Sequence, residues 1–509
     1  MAKVISVRPV IGMEIHVELA TRTKMFSRVP NPAHPDAWDA EPNTLIDPVV
    51  LGLPGSLPVI NGRAVELAAR VGLALGCTIA TTTKWDRKSY FYPDLPKNYQ
   101  ISQYDMPLCF DGRVELPAPR SGEGATKSIR IIRAHLEEDA GKLLHEWPGG
   151  RAIDFSIVDL NRAGTPLLEI VTAPDFESAD EAVAFAQLLR NTCRFLGVSE
   201  CVMQKGHIRF EPNINAVLVL DDGREVRTPI VEVKNLNSFR SLRGAIEFEL
   251  AEQPRRFLAD GREHGPGMKQ TRGWDDVREA TFAQREKEEA DDYRYFPDPD
   301  LPPVKIGAAE IERWRRQMPE LPAARAARYR RELGLSEKEA STLVEERGTC
   351  ELFDGAVEEA LSRGVERARA ARWAINIVLQ SGLKRANDTG RAVHELGISA
   401  ARIGEIVALR QENLISAQGA DQLFGALCER DEDARAAAER LGLLQVRDEG
   451  ALDAWVQAVI DDPANAKAVA DVRAGKDVAI GRLVGAVMKL SAGKADAAAA
   501  KEKLAAKLK

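Results

Sequence analysis

Two carboxylates and an imidazole alternate with apolar residues near the amino terminus, in residues 11–19. Glu14, His16 and Glu18 occupy even positions, whereas isoleucine, methionine, valine and leucine fill the odd ones. This alternation predicts a β-strand, on which same-face neighbours lie about 7 Å apart. Oxygen and nitrogen donors at that spacing suit a hard cation or proton transfer. Taken alone, the stretch favours the simpler interpretation of a solvated sheet face.

The same alternation of charged and apolar residues returns at 129–142, 207–218 and 229–235. Repetition changes the interpretation, because neighbouring strands of one sheet present the same face to a shared surface. We therefore expect one polar cradle, with Ile132 on the opposite, apolar face of its strand. The side chains expected in this cradle are Glu14, His16, Arg133, His135, Glu137, Asp139, His207, Arg209, Glu211, Asn213, Asn215, Glu232 and Lys234.

Glu169 is the most informative single acid, because it stands inside the apolar run Pro-Leu-Leu-Glu-Ile-Val-Thr. A carboxylate there is costly to bury unless it is paired, metal-bound or protonated. Acids and amides with interspersed lysines and arginines fit magnesium-nucleotide chemistry. A glycosidase with two acids remains an alternative, made less attractive by the basic residues. The sequence has no Walker A loop, no G-x-G-x-x-G after a strand and no G-x-S-x-G motif.

Residues 84–105 combine four tyrosines with a phenylalanine, a tryptophan and several basic residues. Aromatic rings beside cations can receive a base, a ribose or a phosphate. An aromatic loop packed on the core is an equally good interpretation.

Helices are predicted to cover one face of the sheet. Residues 64–75 are apolar and are followed by Gly76, which is typical of a helix end. A second helix is predicted from the Ser178-x-x-Glu181 capping box to about Leu196. Strands joined by hairpins, with helices on one side, predict an α+β fold built on an antiparallel sheet.

The chain changes character at about residue 294, where a Pro-rich exit leads into sequence with a helical period. We predict a catalytic domain over 1–293, an all-α domain over 294–400 and a small helical tail domain over 401–509. In the tail, one apolar stripe of an amphipathic helix consists of Ile480, Leu483, Val484, Val487 and Met488.

Composition and charge limit the classes of function. The chain has 509 residues and a net charge of −7, so no global basic field indicates nucleic acid. No apolar signal core and no run of about 18 apolar residues occur, which predicts a soluble, cytoplasmic protein without membrane contact. The six cysteines are scattered, which argues against disulfides and a cysteine zinc site.

Several long motifs follow one another through nearly the whole chain. They are MEIHVEL at 13–19, TKMF at 23–26, EPNT at 41–44, DRKSYFYPDLPK at 86–97, YQISQ at 99–103, HLEEDAGK at 135–142, NRAGTPL at 161–167, VKNLNS at 233–238, DDYRYFP at 291–297 and GRLVG at 481–485. In these motifs the chain resembles the GatB family, the B-type subunits of aspartyl/glutamyl-tRNA(Asn/Gln) amidotransferases.

The resemblance implies a catalytic cradle of the glutamine synthetase/guanido kinase type, a helical domain and a YqeY-like tail that touches tRNA. It implies that ATP, with Mg²⁺, phosphorylates the side-chain carboxylate of misacylated Glu-tRNA(Gln) or Asp-tRNA(Asn). Ammonia then displaces the phosphate to give the amide. The ammonia would come from glutamine hydrolysed by the A-type amidase subunit, and a small C-type subunit would complete the heterotrimer.

The resemblance also implies roles for individual residues, each of which could instead form a structural ion pair. The expected catalytic residues are Glu14, His16, Glu137, Glu138, Glu169 and Lys234. The expected metal ligands are Glu14, His16, Glu137, Glu138 and Glu211. The expected nucleotide or phosphate contacts are Lys88, Arg162, Asn213 and Glu232. The expected tRNA contacts are Arg482 and Lys489. Glu18 gains no role and is expected to be a surface residue.

The sequence departs from the family pattern in two places. Many relatives carry a four-cysteine zinc knuckle between the TKMF and GLPG motifs, and this chain has no cysteine there, so structural zinc is not expected. Glu211 stands where an aspartate is common, and the longer acid could shift a metal ligand.

Two rival functions fit parts of the pattern, and the physiological tRNA stays open. A non-catalytic tRNA-binding scaffold would share this fold. An archaeal E-type subunit would share the cradle but carries a large inserted domain, for which the short path after Pro297 leaves no room.

Overall fold

The structure is a computed structural model that divides into two compact units, Met1–Pro322 and Ala323–Lys509. Asp291 and Asp292 of the DDYRYFP motif lie outside the described residues. The predicted domain boundaries after residues 293 and 400 remain predictions. The described residues are 3–117, 126–147, 150–286, 293–445, 449–474, 477–491 and 495–508.

Both units are rich in regular structure. The strands are β1 (Val4–Glu18), β2 (Thr78–Ile79), β3 (Thr82–Thr83), β4 (Asp86–Ser89), β5 (Tyr99–Ser102), β6 (Cys109–Pro117), β7 (Thr126–Glu138), β8 (Lys142–Trp147), β9 (Arg151–Asp159), β10 (Pro166–Thr172), β11 (Ile208–Leu220), β12 (Glu225–Arg227), β13 (Val231–Lys234), β14 (Gln270–Asp275), β15 (Ala280–Glu286), β16 (Phe296–Pro297) and β17 (Val304–Lys305). The helices are α1 (Gly62–Ala74), α2 (Ala179–Phe195), α3 (Phe239–Asp260), α4 (Ala308–Arg316), α5 (Pro322–Leu333), α6 (Glu337–Leu343), α7 (Arg347–Ser362), α8 (Arg367–Asn376), α9 (Leu383–Thr389), α10 (Ala400–Gln411), α11 (Ala417–Glu429), α12 (Ala434–Arg440), α13 (Glu449–Asp461), α14 (Ala466–Arg473), α15 (Ile480–Leu490) and α16 (Ala497–Leu508).

The first unit is built on one large sheet in the order β15-β14-β13-β11-β1-β10-β7-β5-β4-β16, with β12 beside β11 and β6 beside β7. Strand β1 pairs with β10 on one side and β11 on the other, antiparallel to both. Strands β13 and β14 are parallel, because α3 carries the chain across between them. A large sheet with many helices is confirmed, and the sheet is mixed rather than antiparallel throughout, because β13 and β14 run parallel.

The odd positions of β1 form part of the core, as the alternation predicts. Ile11, Ile15 and Val17 are fully buried, and Met13 is 1% exposed. They belong to one apolar cluster with residues of α1, α2 and α3. The even positions of β1 therefore face away from the covering helices.

The two predicted helices of this unit begin at side-chain caps. The side chain of Asn61 accepts hydrogen bonds from the first turn of α1, and Gly76 follows the helix with a φ of +69°. Ser178 Oγ accepts a bond from the Glu181 amide at the start of α2. The reciprocal bond of a capping box is displaced by one residue, because Glu181 accepts from the Glu177 amide.

Strand β7 contains a bulge that the sequence pattern did not predict. Val171 pairs with Arg133 and Thr172 pairs with Ile131, so Ile132 is the extra residue. Its side chain is 51% exposed. The prediction that Ile132 lies on the apolar face is wrong, because an extra residue shifts the alternation.

Lys24 is fully buried and ties the loop after β1 to the turn before β10. Its Nζ donates to the carbonyl oxygens of Leu45 at 2.6 Å and Ala163 at 2.7 Å. Asn161 Oδ1 accepts from the Leu45 amide at 2.8 Å. These bonds hold the cysteine-free segment that follows the TKMF motif.

Replacing Lys24 by methionine is expected to destabilise this loop by about 2 to 4 kcal/mol, because the carbonyl oxygens of Leu45 and Ala163 lose the buried ammonium group that donates to them. Hydrogen exchange at the Leu45 amide should then accelerate about 30-fold or more, since 1.4 kcal/mol corresponds to a factor of ten. The exposed Lys305→Met variant is the control. An unchanged exchange rate in Lys24→Met would contradict the proposed role of the lysine.

The regular elements described in the second unit are helices, apart from an isolated β-bridge between Ile415 and Leu444. Helices α13 to α16 enclose their own apolar core, which includes Val456, Leu483, Val487 and Leu504. Helix α15 leaves Arg482 and Lys489 exposed, seven residues apart on one side. None of the helices described here is long and apolar enough to cross a membrane.

Candidate active site

Four carboxylates surround the imidazole of His16 on the open face of the sheet. His16 Nε2 lies 3.8 Å from Glu14 and 3.9 Å from Glu137. The same nitrogen lies 3.6 Å from Glu169, and Nδ1 lies 4.0 Å from Glu211. Strand register explains the convergence, since His16 pairs with Glu169 and Glu14 pairs with Glu211. We call these five residues the acidic cluster.

Burial and mutual charge shift the proton affinities of the acidic cluster. Burial alone would lower the pKa of His16, but a hydrogen bond with Glu169 and the charges of Glu211, Glu169 and Glu14 raise it to about 9. Burial likewise opposes ionisation of Glu169, yet neighbouring imidazoles hold its pKa well below the usual range. Burial raises the pKa of Glu137 to about 7. The protonated imidazole of His16 is therefore the counter-ion of the acids around it.

Two lysines border the acidic cluster on the β13 side. Lys234 Nζ donates to Glu211 at 2.5 Å and lies 3.3 Å from Glu232. Glu232 is fully buried and also lies 3.4 Å from Lys269 Nζ. Asn213 pairs with Glu232 across the strands, and its buried Oδ1 finds no hydrogen-bond partner among the described residues. The β13 side of the site therefore presents the ammonium group of Lys234 and the amide oxygen of Asn213 together.

The acidic cluster fits a divalent cation. The donor atoms of Glu14, His16 and Glu211 lie within 4.8 Å of one another, as do those of His16, Glu137 and Glu169. Carboxylate oxygens are the ligands that Mg²⁺ prefers in proteins, usually with water and phosphate oxygens completing the shell. The four carboxylates also carry more negative charge than the one imidazole among them can neutralise, so a bound cation would balance the charge of the site.

Comparison with family models identifies the chain. The GatB/GatE catalytic domain model matches residues 9–312, and the GatB domain model matches residues 356–508. The chain belongs to the GatB family. Among its curated relatives is the B subunit of the aspartyl/glutamyl-tRNA(Asn/Gln) amidotransferase of Thermomicrobium roseum, 45% identical over 97% of both chains. The protein of that name from Rhodopirellula baltica is 41% identical over 95% of this chain and 93% of its own length. The protein of that name from Janthinobacterium is 43% identical over 98% of this chain and 99% of its own length.

His135 also contacts the acidic cluster of this GatB-family chain, although neither the sequence pattern nor the resemblance predicted a catalytic or ligand role for it. Its Nε2 lies 3.6 Å from Glu169 and 4.0 Å from Glu137. Burial lowers the pKa of His135 to about 4, so the imidazole is neutral. Arg133 lies 3.8 Å from Glu169. The alternation of β7 had already placed both residues on the cradle face, and that was the available signal.

Lys88 brings the aromatic segment of this GatB-family chain to the edge of the cluster. Burial opposes its charge, but Glu137 and Glu169 raise its pKa above the usual range. Its Nζ lies 5.0 Å from the ring centre of Tyr293. Tyr295 stacks on Tyr104 with ring centres 4.1 Å apart. Both interpretations of residues 84–105 therefore apply in part. Aromatic rings of this segment pack against other rings, and Lys88 lies close enough to Glu137 and Glu169 for their charges to act on it.

Glu138 and Arg162, to which the family resemblance assigned roles, make their hydrogen bonds away from the acidic cluster. Glu138 pairs with Lys97 and accepts from the Ile101 amide at 3.0 Å. It lies on the side of β7 opposite to Glu137, because adjacent strand residues face opposite ways. Arg162 donates to the carbonyl oxygens of Ala140 at 2.9 Å and Gly141 at 2.6 Å.

Glu18 is only 4% exposed, so the expectation of a surface residue is wrong. It lies 3.8 Å from Arg209, which also forms an ion pair with Asp139. Burial and the charge of Asp139 raise the pKa of Glu18 to about 8. By contrast, although burial opposes its ionisation, the charges of Arg162 and Arg209 lower the pKa of Asp139 to about 2. Glu18, Asp139, Arg162 and Arg209 form a second cluster beside the first.

Binding of Mg²⁺ to the full-length chain at pH 8 is expected to release about one proton. The His16 imidazole, with a pKa of about 9, is about nine-tenths protonated there, and a ligating histidine must be neutral. Affinity should therefore rise as the pH approaches 9. Calorimetry in buffers of different ionisation enthalpy measures the release. The His16→Asn variant should release none from this site, and no release by the unaltered chain would remove His16 from the ligand set.

Proposed function

We propose that this chain uses ATP to activate the side-chain carboxylate of Glu-tRNA(Gln), of Asp-tRNA(Asn), or of both, for conversion to the amide. Membership of the GatB family supports this, because the curated relatives are named as the B subunit of an aspartyl/glutamyl-tRNA(Asn/Gln) amidotransferase. The observation that carries the proposal is the convergence of four carboxylates on His16, with Lys88 and Lys234 beside them.

The proposed reaction has two steps. In the first, an oxygen of the substrate carboxylate bonds to the γ-phosphorus of ATP, the bond to the β–γ bridging oxygen breaks, and ADP leaves. In the second, the nitrogen of ammonia bonds to the acyl carbon, and phosphate departs with the bonding electrons and one proton. Activation is needed because a carboxylate has no usable leaving group, whereas an acyl phosphate supplies one.

The residues of the site suit the first step by charge. Lys88 and Lys234 can neutralise phosphate oxygens, since each keeps its proton at neutral pH beside the acids. Mg²⁺ held by Glu14, His16, Glu137 and Glu211 would neutralise further charge on the phosphates. Glu169 would hold the His16 imidazole in place, and neutral His135 contacts Glu169 in turn. Asn213 Oδ1 and Glu232 are proposed nucleotide contacts, by way of hydrogen bonds to hydroxyl or amino groups.

The proposal extends to the assembly. The cradle would be of the glutamine synthetase/guanido kinase type, which a large sheet with an open acidic face supports. Partners would be the A-type amidase subunit, which supplies ammonia, and the small C-type subunit, in the cytoplasm. Arg482 and Lys489, exposed on one side of α15, would contact tRNA phosphates, which positions RNA without reading its bases. Structural zinc is not part of the proposal, because Lys24 and Asn161 hold the corresponding loop.

The test is ATP hydrolysis by the assembled complex, with and without misacylated tRNA. Glu-tRNA(Gln) and Asp-tRNA(Asn) are supplied separately, together with glutamine. Turnover that depends on one or both misacylated tRNAs is expected, and the pattern identifies the substrate. Uncharged tRNA is the control, because it lacks the carboxylate. Absence of ATP turnover with either substrate would contradict the proposal.

A further inference from the structure

A basic groove lies on the large sheet at the end of the strands remote from the acidic cluster. Its cavity volume is about 580 Å³. Two acids, Asp175 and Glu177, also line it. We call it the arginine groove, after the cationic residues that line it, which are Arg8, Arg113, Lys127, Arg130 and Arg227.

Strand register places the arginine groove on the same face as the acidic cluster. Arg8 and Glu14 are both even positions of β1, and the pairing with β11 is regular from Ser6 to Val17. Arg8 therefore projects to the same side as Glu14, about 20 Å away along the strand. Arg130 lies opposite the core face that carries Ile129 and Ile131, both buried. One continuous surface thus joins acids at one end to guanidinium groups at the other.

The arginine groove spans several strands. Arg8 on β1 and Arg227 on β12 both pair with Val217 of β11, from its two sides. They are therefore two strand spacings apart, about 10 Å. Arg113 on β6 and Arg130 on β7 form the other side of the groove. This width exceeds what a single phosphate needs and suits a chain of them.

Internal ion pairs neutralise the arginine groove only in part. Arg130 holds Asp175 through two hydrogen bonds, of 3.0 and 2.7 Å. Lys127 lies 3.1 Å from Glu177, which accounts for the second acid. Arg113 and Arg227 are exposed and form no ion pair with any residue that the structure describes. Arg8 lies 3.3 Å from Glu225, and Lys127 also lies 3.0 Å from Glu181, so three of the five cations have acidic partners and Arg113 and Arg227 remain open.

The register also sets two like charges side by side. Arg113 and Arg130 are direct cross-strand partners. Like charges in that position destabilise a sheet, unless an anion lies between or beside them. Asp175 forms an ion pair with Arg130, whereas no described residue forms one with Arg113. The arrangement therefore offers an open site to an external anion.

We propose that the arginine groove binds the phosphate backbone of the RNA substrate while the aminoacyl end lies in the acidic cluster. This inference rests on the proposed function, because it takes misacylated tRNA as the substrate. A reacting carboxylate in the cluster is covalently joined to a long polyanion, which must leave over the surrounding surface. Guanidinium groups match phosphate oxygens with two parallel hydrogen bonds, and such contacts position RNA without reading its sequence.

The test compares two double variants in the assembled complex. Arg113→Ala/Arg227→Ala removes the two unpaired groove cations. Arg240→Ala/Arg278→Ala removes two arginines, 88% and 81% exposed, elsewhere in the same unit. Dissociation constants for misacylated tRNA are measured without ATP at several salt concentrations, and ATP turnover is measured at saturating tRNA.

The groove variant is expected to weaken tRNA binding about tenfold or more at low salt and to reduce the slope of log Kd against log salt by about 2. Turnover at saturating tRNA should stay unchanged. An unchanged Kd and slope overturn the proposal, and so does an effect equal to that of the control. Unchanged tRNA binding with weaker association of the amidase partner, seen by gel filtration, would assign the groove to a protein partner and also overturn it.

Failure of the proposed function gives a different result. Binding is measured without ATP, so a complex that binds tRNA through the groove but hydrolyses no ATP contradicts the proposed function and leaves this inference standing. A complex that binds no misacylated tRNA contradicts both.

Discussion

Replacing Glu14 by glutamine is expected to lower ATP turnover that depends on misacylated tRNA by about 10³-fold. The substitution preserves shape and removes one negative charge from the acidic cluster. Glu14 lies 3.8 Å from His16 and pairs across the strands with Glu211, so it belongs to the set that fits a divalent ion. Binding of tRNA should stay within about twofold, because the proposed phosphate contacts lie elsewhere.

The same variant separates catalysis from scaffolding. A non-catalytic tRNA-binding scaffold would lose nothing measurable with Glu14→Gln, whereas the proposed enzyme loses turnover and keeps binding. Glu200→Gln, at an exposed position of the same unit, is the matched control and should match the unaltered chain in both measurements. Turnover within about tenfold of normal in Glu14→Gln would exclude Glu14 from the metal-binding set.

Period-two alternation was sufficient to predict the central strand and most of its acidic face. It placed Glu14 and His16 together, and the repeats placed Glu211 and Glu137 on neighbouring strands. Glu169 was predictable from a different signal, a carboxylate in an apolar run. Sequence pattern succeeds here because a strand has only two faces, and burial of one determines the other.

The errors came from features that a single strand pattern does not contain. Ile132 is exposed because a bulge shifts the register, and nothing in the alternation marks that extra residue. Glu137 and Glu138 are adjacent, so only one could face the cradle, and the resemblance alone did not choose. Glu18 is buried because Arg209 and Asp139 cover it. Contacts made across strands and turns depend on the tertiary fold.

The parallel pairing of β13 with β14 has a related cause. The sequence indicated hairpins, which join antiparallel strands, but α3 separates these two strands and returns the chain to the same edge. The result brings Lys269, just before β14, to Glu232 at 3.4 Å. Sequence reasoning missed Lys269 because its position depends on this crossover.

Replacing Arg209 by methionine is expected to lower the free energy of unfolding by about 3 kcal/mol or more, because Asp139 would lose one of two guanidinium partners in a buried site. Arg162 and Arg209 lower the pKa of Asp139 to about 2, although burial opposes this. The stabilisation is therefore present above the unfolded value near 4 and is lost as the pH falls through 2. In Arg209→Met the loss should begin at higher pH. Urea unfolding at a series of pH values measures both effects.

Glu18→Gln, a second substitution in the same cluster, is expected to raise the free energy of unfolding, whereas Arg209→Met lowers it. Burial and Asp139 raise the pKa of Glu18 to about 8, so folding must keep protonated a carboxyl that is ionised in the unfolded chain above about 4.3. Stability therefore falls as the pH rises from that value through 8. Glutamine, which is neutral at every pH, should raise the unfolding free energy at pH 7 by about 1 kcal/mol or more and flatten its pH dependence. A large loss of stability in Glu18→Gln would mean that the Glu18 carboxylate is ionised and paired with Arg209. Both Glu18→Gln and Arg209→Met would then lower the free energy of unfolding.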